Sequence, residues 1–229
     1  MKKYKYIYID LDHTLWDYKI NSKEALKEMF YLHFLHNRLT IDDFISCFER
    51  NNLKYWTMYR NTEITKDKLR LERFKSTLID CKINDNILAA KLSDDYTRIS
   101  PQKTNLIPYA KEILEYLRGS YYLYILTNGF SDVQRRKLKN SGLAEFFEKI
   151  ITSDEVGYAK PHKKIFHYAV SSVNAKKESC LMIGDDLAAD ILGAKNYGID
   201  QVYFNPKNNP VHEKITYSIS SLIELTDIL

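Results

Sequence analysis

Short runs of aromatic and β-branched residues alternate with segments of helical periodicity at the start and over the second half of the chain. The strand-like runs cover residues 4–11, 121–126, 149–152, 180–183 and 202–204. Their composition is typical of buried strands, and apolar residues recur at helical spacing between them. Strands that alternate with helices predict right-handed crossovers and an α/β fold, a doubly wound parallel sheet with helices on both faces.

A long stretch between the first predicted strand and Pro108 keeps helical periodicity and contains few strand signals. In residues 22–35 and 69–78, for example, apolar residues recur every three or four positions. The stretch is too long to be a single crossover connection. We therefore expect an α-helical cap of residues 17–97, inserted into a core domain made of residues 1–16 and 98–229.

The composition is that of a globular protein, since 45% of the 229 residues are apolar and 28% are charged. The chain enters a strand-like run at once, and Asp10 and Asp12 interrupt the apolar stretch that a signal peptide would need. No segment approaches the roughly 18 uninterrupted apolar residues of a membrane-spanning helix. We expect a cytoplasmic protein without membrane contact, either a monomer or a weak homo-oligomer.

The net charge of +4 raises the question of a polyanionic partner. Lys and Arg residues are interleaved with Asp and Glu, and no nucleic-acid-binding motif is recognisable, so we expect no nucleic-acid polymer as partner. The cysteines Cys47, Cys81 and Cys180 form no CxxC pair. They are expected to be small buried or half-buried side chains rather than reactive thiols.

Polar side chains lie at or just after the ends of three predicted strands. Asp10 and Asp12 lie at the end of the first strand, Thr127 and Asn128 follow the second, and Asp185 and Asp186 lie just after the fourth. The carboxyl ends of parallel strands meet at one edge of a sheet, and the ligand crevice of such sheets lies there. The three clusters therefore predict one shared site.

Asp10 and Asp12 are two residues apart where the chain leaves the first strand. If strand geometry persists, both carboxylates project to one side and repel each other unless they share a cation or a proton. The pair therefore predicts a divalent metal or a carboxylate held protonated. The structural alternative is an Asp-rich turn or a helix N-cap.

The other clusters also have structural alternatives. Thr127-Asn128-Gly129 is a common turn sequence, although its hydroxyl, amide and backbone N–H groups could together bind phosphate oxygens. A lone Lys160 is typical of solvated surface, and the acids at 185–186 are typical of helix N-capping. The occurrence of all these groups in positions consistent with one sheet favours a site.

Four motifs resemble those of the haloacid dehalogenase (HAD) superfamily: DLDHTL from Asp10, TNG from Thr127, GYAKPHKKIF around Lys160 and GDDLAAD around Asp185. The resemblance implies a HAD-like Rossmannoid core with Asp10 as nucleophile, forming an aspartyl-phosphate, and Asp12 as general acid and then base. It further implies phosphate binding by Thr127, Asn128 and Lys160, with the cation of Lys160 stabilising charge in the transition state.

The same resemblance implies a Mg²⁺ cofactor bound by the Asp10 carboxylate, the Asp12 main-chain carbonyl and Asp185. Oxygen-only ligation suits this hard cation. Whether Asp186 or Asp190 contributes a second contact is open. The dehalogenases of the superfamily require neither a metal nor a second Asp, so Asp12 favours a phosphatase whose partner is a small-molecule phosphate monoester.

Residues 53–74 resemble the cap of the pyrimidine 5′-nucleotidase branch, which implies a nucleoside 5′-monophosphate as substrate. The matching residues are Trp56, Tyr59, Glu63-Ile64-Thr65 and Arg73-Phe74, whereas Arg60 and Asn61 depart from the usual pattern of the branch. Trp56 and Tyr59 could stack on a base, and Arg60 and Arg73 could reach ribose or phosphate oxygens. The structural alternative is that the aromatic residues form the core of the cap.

Two other functions are compatible with the sequence. One is a phosphatase of a small metabolite such as a sugar phosphate or phosphoglycolate. The other is a binding or regulatory module on a catalytically silent HAD scaffold, which the presence of Asp10, Asp12, Thr127, Lys160 and Asp185 disfavours.

Overall fold

The computed structural model describes residues 3–229, and the chain divides into two compact units. The first unit comprises Met1–Tyr18 and Thr104–Leu229, and the second comprises Lys19–Lys103. The predicted core segment 1–16 begins with Met1 and Lys2, which lie outside the described residues.

One parallel sheet forms the centre of the first unit. Within the described residues it has six strands in the order β3-β2-β1-β4-β5-β6. The strands are β1 (Tyr6–Ile9), β2 (Tyr122–Thr127), β3 (Lys149–Thr152), β4 (Cys180–Gly184), β5 (Asp200–Phe204) and β6 (Tyr217–Ile219). The predicted fold class, a doubly wound parallel sheet with helices on both faces, is confirmed. β6 was not predicted, because its three residues lie in a polar segment without a strand-like run.

The helices, in chain order, are α1 (Tyr18–Leu32), α2 (Ile41–Arg60), α3 (Lys66–Asp80), α4 (Asn86–Ile99), α5 (Ala110–Arg118), α6 (Ser131–Asn140), α7 (Ser153–Val156), α8 (Lys163–Ser171), α9 (Gly193–Tyr197) and α10 (Leu225–Ile228). A π-helical turn, Leu187–Leu192, leads into α9. Among the described residues, no helix is both long enough and apolar enough to cross a bilayer.

Alternate residues of the central strands face two different hydrophobic layers. Ile7 of β1 pairs in register with Leu123 and Leu181, and all three belong to the layer that includes α5. Tyr8 points the other way, into the layer formed with α8 and α9, and its hydroxyl donates a 3.0 Å hydrogen bond to the carbonyl oxygen of Ala169. Burial on both faces explains why these strands read as continuous apolar runs.

The position of β1 determines where a site can form. β1 lies between β2 and β4, so the chain adds strands first on one side of β1 and then on the other. In an open parallel sheet, the crevice outside the carboxyl ends at such a reversal is the preferred ligand site. Asp10 directly follows β1 and Asp185 directly follows β4, so the reversal brings their backbones side by side.

The second unit is helical and has a core of its own. Phe30 of α1, Phe48 of α2, Phe74 of α3 and Tyr96 of α4 are buried together. N-terminal caps define three of the helices, since the side chains of Thr40, Thr65 and Asp85 accept hydrogen bonds from backbone N–H groups at the starts of α2, α3 and α4. Thr65, part of the Glu63-Ile64-Thr65 motif, therefore has a structural role.

We expect Ile7→Ala to lower the free energy of unfolding by about 2–5 kcal/mol, because it removes a fully buried side chain and leaves a cavity at the centre of the sheet. Chemical denaturation measures the loss. Ile223→Ala, at a position that is 41% exposed in the same unit, is the matched control and should cost clearly less. Equal losses would contradict the placement of Ile7 in the core.

Candidate active site

A buried lysine lies at the carboxyl edge of the sheet beside β1. Lys160 is 2% exposed, and its Nζ donates hydrogen bonds of 2.6 Å each to Asp10 Oδ1 and to the carbonyl oxygen of Leu126. The same Nζ lies 2.6 Å from Asp190 Oδ1. A buried charge is tolerated when oppositely charged partners and hydrogen bonds surround it, and Lys160 has both.

The charges of this cluster depend on one another. Burial raises the pKa of Asp10, and the Lys160 ammonium opposes that effect. For Lys160, burial lowers the pKa, but the carboxylates of Asp10 and Asp190 outweigh burial and raise the pKa above its ordinary value. Lys160 is therefore a permanent cation next to Asp10 at neutral pH.

Asn128 fixes the backbone of this lysine. Its side-chain Oδ1 accepts a 2.7 Å hydrogen bond from the N–H of Lys160, and its Nδ2 donates a 3.0 Å bond to the Lys160 carbonyl oxygen. Ser153 Oγ in turn donates to the backbone carbonyl oxygen of Asn128 at 3.0 Å. Asn128, which the sequence predicted as a phosphate ligand, thus uses both ends of its side chain to position Lys160.

Three carboxylates converge beside Lys160. Oxygen atoms of Asp10, Asp185 and Asp190 lie within 4.8 Å of one another. Burial, together with the charges of Asp10 and Asp190, raises the pKa of Asp185 to about 8. The pKa of Asp190 is also raised by burial, with Lys160 opposing. Thr14, fully buried, donates a 3.2 Å hydrogen bond to Asp185 Oδ1.

The structure distinguishes between Asp186 and Asp190, which the sequence left open. The Asp186 side chain caps the π-helical turn, accepting hydrogen bonds from the N–H groups of Ala188 and Ala189 at 3.0 and 2.9 Å. Asp190 is 1% exposed and belongs to the carboxylate cluster. A Cβ at Gly184 would overlap the Asp190 side chain, so the glycine at the end of β4 makes room for this acid.

The donor set of the cluster fits a hard divalent cation. Every candidate ligand is a carboxylate oxygen, which is what Mg²⁺ prefers. Of the three carboxylates, Asp10 and Asp190 contact the ammonium of Lys160, whereas burial and the charges of these two acids raise the pKa of Asp185 above its ordinary value. A bound cation would relieve the repulsion among the carboxylates.

Asp12 has a separate set of partners. Lys137 Nζ lies 2.5 Å from Asp12 Oδ1, and Gln134 Nε2 donates a 2.9 Å hydrogen bond to Asp12 Oδ2. From the spacing of Asp10 and Asp12, we expected a cation or a proton shared between the two carboxylates. In the structure each of these two aspartates has its own lysine, and the strand ends at Ile9, before either of them.

The sequence pattern did not identify Gln134 and Lys137 as site residues, although α6 contains a signal for them. In the sequence SDVQRRKLKN, Leu138 is an apolar residue that must face the core, and positions 134 and 137 lie on the same face of the helix. Gln134 is 1% exposed and Lys137 is 4% exposed. Buried polar groups require hydrogen-bond partners, and the partner that Gln134 and Lys137 share is Asp12.

Thr127 lies at the end of β2 and is 1% exposed. Its Oγ1 accepts hydrogen bonds from the Gly129 N–H at 3.1 Å and from Gln134 Nε2 at 2.8 Å. Because the oxygen is the acceptor in both bonds, the hydroxyl hydrogen can be donated to a further oxygen, such as one of a phosphate group.

The residues predicted in the second unit as substrate contacts have different environments. Trp56 and Tyr59 are half-buried and pack edge to face, with ring centroids 5.8 Å apart, and Arg60 is half-buried next to them in the sequence. Arg73 is 5% exposed, its guanidinium lies 4.7 Å from the ring centroid of Tyr96, and it donates a 3.0 Å hydrogen bond to Asn52 Oδ1. These contacts make Arg73 part of the packing of the helical unit.

Comparison with known proteins gives consistent matches over the whole chain. The model of the haloacid dehalogenase-like hydrolase family matches residues 4–198. Pyrimidine 5′-nucleotidase YjjG of Escherichia coli is 33% identical over 99% of this chain and 98% of its own length. Pyrimidine 5′-nucleotidase PynA of Streptococcus pneumoniae is 28% identical over 99% of this chain and 95% of its own length.

A solved structure shows the same similarity. The crystal structure of the HAD-hydrolase YfnB from Bacillus subtilis, bound to magnesium, matches with a TM-score of 0.89 at 30% identity and covers 99% of both chains. The six-stranded parallel sheet agrees with this structural match. The chain therefore belongs to the haloacid dehalogenase-like hydrolase family.

Proposed function

We propose that this protein is a Mg²⁺-dependent phosphatase that hydrolyses nucleoside 5′-monophosphates through an aspartyl-phosphate on Asp10. The observation that supports phosphate ester hydrolysis most directly is the separate environment of Asp12, with Lys137 at 2.5 Å and Gln134 at 2.9 Å. Hydrolysis of an alkyl ester requires a group that protonates the departing oxygen, and a second, independently placed acid suits that task.

In the first step, the Asp10 carboxylate attacks phosphorus, a bond forms between Asp10 and phosphorus, and the bond to the ester oxygen breaks. Asp12, in its protonated form, transfers its proton to that oxygen, which leaves as an alcohol, and the second step returns a proton to Asp12. Lys160, at 2.6 Å from Asp10, stabilises the negative charge that develops on the phosphoryl group in a largely water-excluded place. The Thr127 hydroxyl donates to a phosphoryl oxygen.

In the second step, Asp12 accepts a proton from a water molecule, and the resulting hydroxide attacks the phosphorus of the aspartyl-phosphate. Inorganic phosphate leaves and Asp10 is regenerated as a carboxylate. Asp12 suits both steps because its side chain is 23% exposed, whereas that of Asp10 is 11% exposed. Asp12 can therefore exchange protons with the leaving alcohol and with water.

The residues that would bind Mg²⁺ are Asp10 and Asp185, with the main-chain carbonyl of Asp12, and the carboxylate of Asp190 supports them. When bound, the cation would neutralise the carboxylate cluster and polarise the phosphate group. Asn128 and Ser153 act indirectly, because they fix the loop that carries Lys160.

Two observations support nucleoside 5′-monophosphates as the substrate class. Two relatives that match nearly the whole chain are pyrimidine 5′-nucleotidases. The helical unit also keeps the Trp56 and Tyr59 pair half-buried, which leaves aromatic surface for stacking on a base. Arg60 follows Tyr59 directly and is proposed to contact ribose or phosphate oxygens.

Asp10→Asn is expected to abolish turnover, because it removes the nucleophile, and Asp12→Asn to reduce turnover by about 10²–10⁴-fold, because it removes proton transfer. Phosphate release with Mg²⁺ present measures both. Asp227→Asn, an exposed acid of α10, is the control and should retain full activity. Substantial turnover by Asp10→Asn would exclude the covalent route.

A substrate panel tests the proposed specificity. With Mg²⁺, pyrimidine nucleoside 5′-monophosphates are expected to give a higher kcat/KM than sugar phosphates or phosphoglycolate, with Asp10→Asn as the blank. Trp56→Ala should raise KM for nucleotides and leave hydrolysis of p-nitrophenyl phosphate nearly unchanged. If the protein hydrolyses a chromogenic phosphate but no nucleotide, the proposed substrate class is wrong, whereas the proposed catalytic roles of Asp10 and Asp12 are unaffected.

The acidic cluster predicts linked effects of pH and Mg²⁺ on stability. The raised pKa of Asp185 means that its contribution to stability is complete below its ordinary pKa of 3.8 and is lost as pH rises through about 8. Mg²⁺ competes with these protons, so it should raise Tm more at about pH 8 than at about pH 5. EDTA should abolish activity.

Thermal unfolding with and without Mg²⁺ at the two pH values measures this effect. Asp185→Asn is the informative variant, because it removes the group with the raised pKa and should reduce both the gain in Tm and its pH dependence. A gain in Tm that is the same at both pH values would show that the cluster is not the cation site.

A further inference from the structure

Helix α6 directs two buried polar side chains at Asp12. Gln134 and Lys137 are three residues apart and therefore project from one face of the helix. Lys137 Nζ contacts Asp12 Oδ1 at 2.5 Å, and Gln134 Nε2 contacts Asp12 Oδ2 at 2.9 Å. Each carboxylate oxygen thus has its own donor, which restrains both the position and the rotation of the group.

Gln134 also connects Asp12 to Thr127. One hydrogen of its Nε2 is donated to Asp12 Oδ2, and the other is donated to Thr127 Oγ1 at 2.8 Å. The opposite orientation of the amide would place an oxygen against a carboxylate, so electrostatics selects this one. A Cβ at Gly129 would overlap the Gln134 side chain, so the glycine of the TNG turn leaves the path of this side chain open.

Lys137 lies against an aromatic wall. Its Nζ is 4.1 Å from the ring centroid of Trp16, which is fully buried, and 5.7 Å from that of Tyr18. The ring faces stabilise a partly desolvated ammonium, and they leave it few directions in which to donate. The Lys137 ammonium therefore donates to Asp12, with which it makes a short contact.

We propose that Gln134 and Lys137 are positioning residues that fix the Asp12 carboxylate for proton transfer to the leaving oxygen. Gln134 in addition sets the spacing between Asp12 and the Thr127 hydroxyl, so the proton-transfer group and the phosphate-binding group keep one relative position. The inference rests on the proposed phosphatase function and extends it to two residues of α6. A proton-transfer group is effective only within hydrogen-bond reach of the atom it serves, so orientation limits its rate contribution.

The test compares Lys137→Met and Gln134→Leu with Lys139→Met, a matched loss of a lysine at an exposed position of the same helix. The substrates are phosphate monoesters whose leaving groups range from acidic phenols to alcohols. Their kcat/KM covers the steps up to departure of the leaving group. A poor leaving group depends on the proton from Asp12, and an acidic phenol does not.

Lys137→Met and Gln134→Leu are expected to lower kcat/KM by about 10²-fold for alkyl phosphates and by less than about tenfold for esters of acidic phenols. Lys139→Met should match the unmodified protein throughout. A loss that is equal across the series would indicate a structural role alone and overturn the proposal, as would no loss. Absence of hydrolysis by the unmodified protein would instead reject the proposed function.

A second measurement is independent of turnover. Combined with Asp12→Asn, the change Lys137→Met is expected to shift Tm by clearly less than the sum of the two single shifts, because either change breaks the same ion pair. Lys139→Met and Asp12→Asn should be additive. Additive shifts for Lys137→Met would show that Lys137 and Asp12 do not interact in solution, and the proposal would fail.

Discussion

The arrangement of the candidate site depends on one buried ammonium group. Lys160 can be buried only because Asp10 and Asp190 surround it, and these two acids can lie so close together only because Lys160 is between them. Asp10 comes from the end of β1, Lys160 from the loop before α8, and Asp190 from the π-helical turn after β4. The parallel sheet, with the reversal of strand order at β1, brings these segments to one edge. The ion pairs of Lys160 therefore depend on the topology of the sheet.

Charge is distributed unevenly over the four acids of the site. Lys160 compensates Asp10 and Asp190, and Lys137 compensates Asp12. Asp185 receives a hydrogen bond from Thr14, and within residues 3–229 no lysine forms an ion pair with it. Burial and the neighbouring carboxylates raise the pKa of Asp185 to about 8, so a divalent cation bound at this part of the site would stabilise the ionised form of Asp185.

The sequence predicted the central strands because both of their faces are buried and they read as continuous apolar runs. It missed β6, which has three residues and only one fully buried side chain. It predicted Asp10, Asp12 and Asp185 as site residues because each lies next to the end of a predicted strand. It missed Gln134 and Lys137 because helix faces are recognised by apolar residues, and the partner of Gln134 is 122 positions away in the chain. The sequence predicted Asn128 as a phosphate ligand, but its hydrogen bonds to the Lys160 backbone depend on a tertiary contact that no local pattern reports.

The two glycines at strand ends have a consequence for how such a sequence diverges. Gly129 is adjacent to the space that the Gln134 amide fills, and Gly184 to the space that the Asp190 carboxylate fills. An alanine at either position would require a shorter side chain at its partner, and a shorter partner would in turn remove the constraint on the glycine. Each glycine and its partner should therefore be inherited as a unit, so that correlated replacement at positions 129 and 134, or at 184 and 190, records a change in the site that neither position would reveal alone.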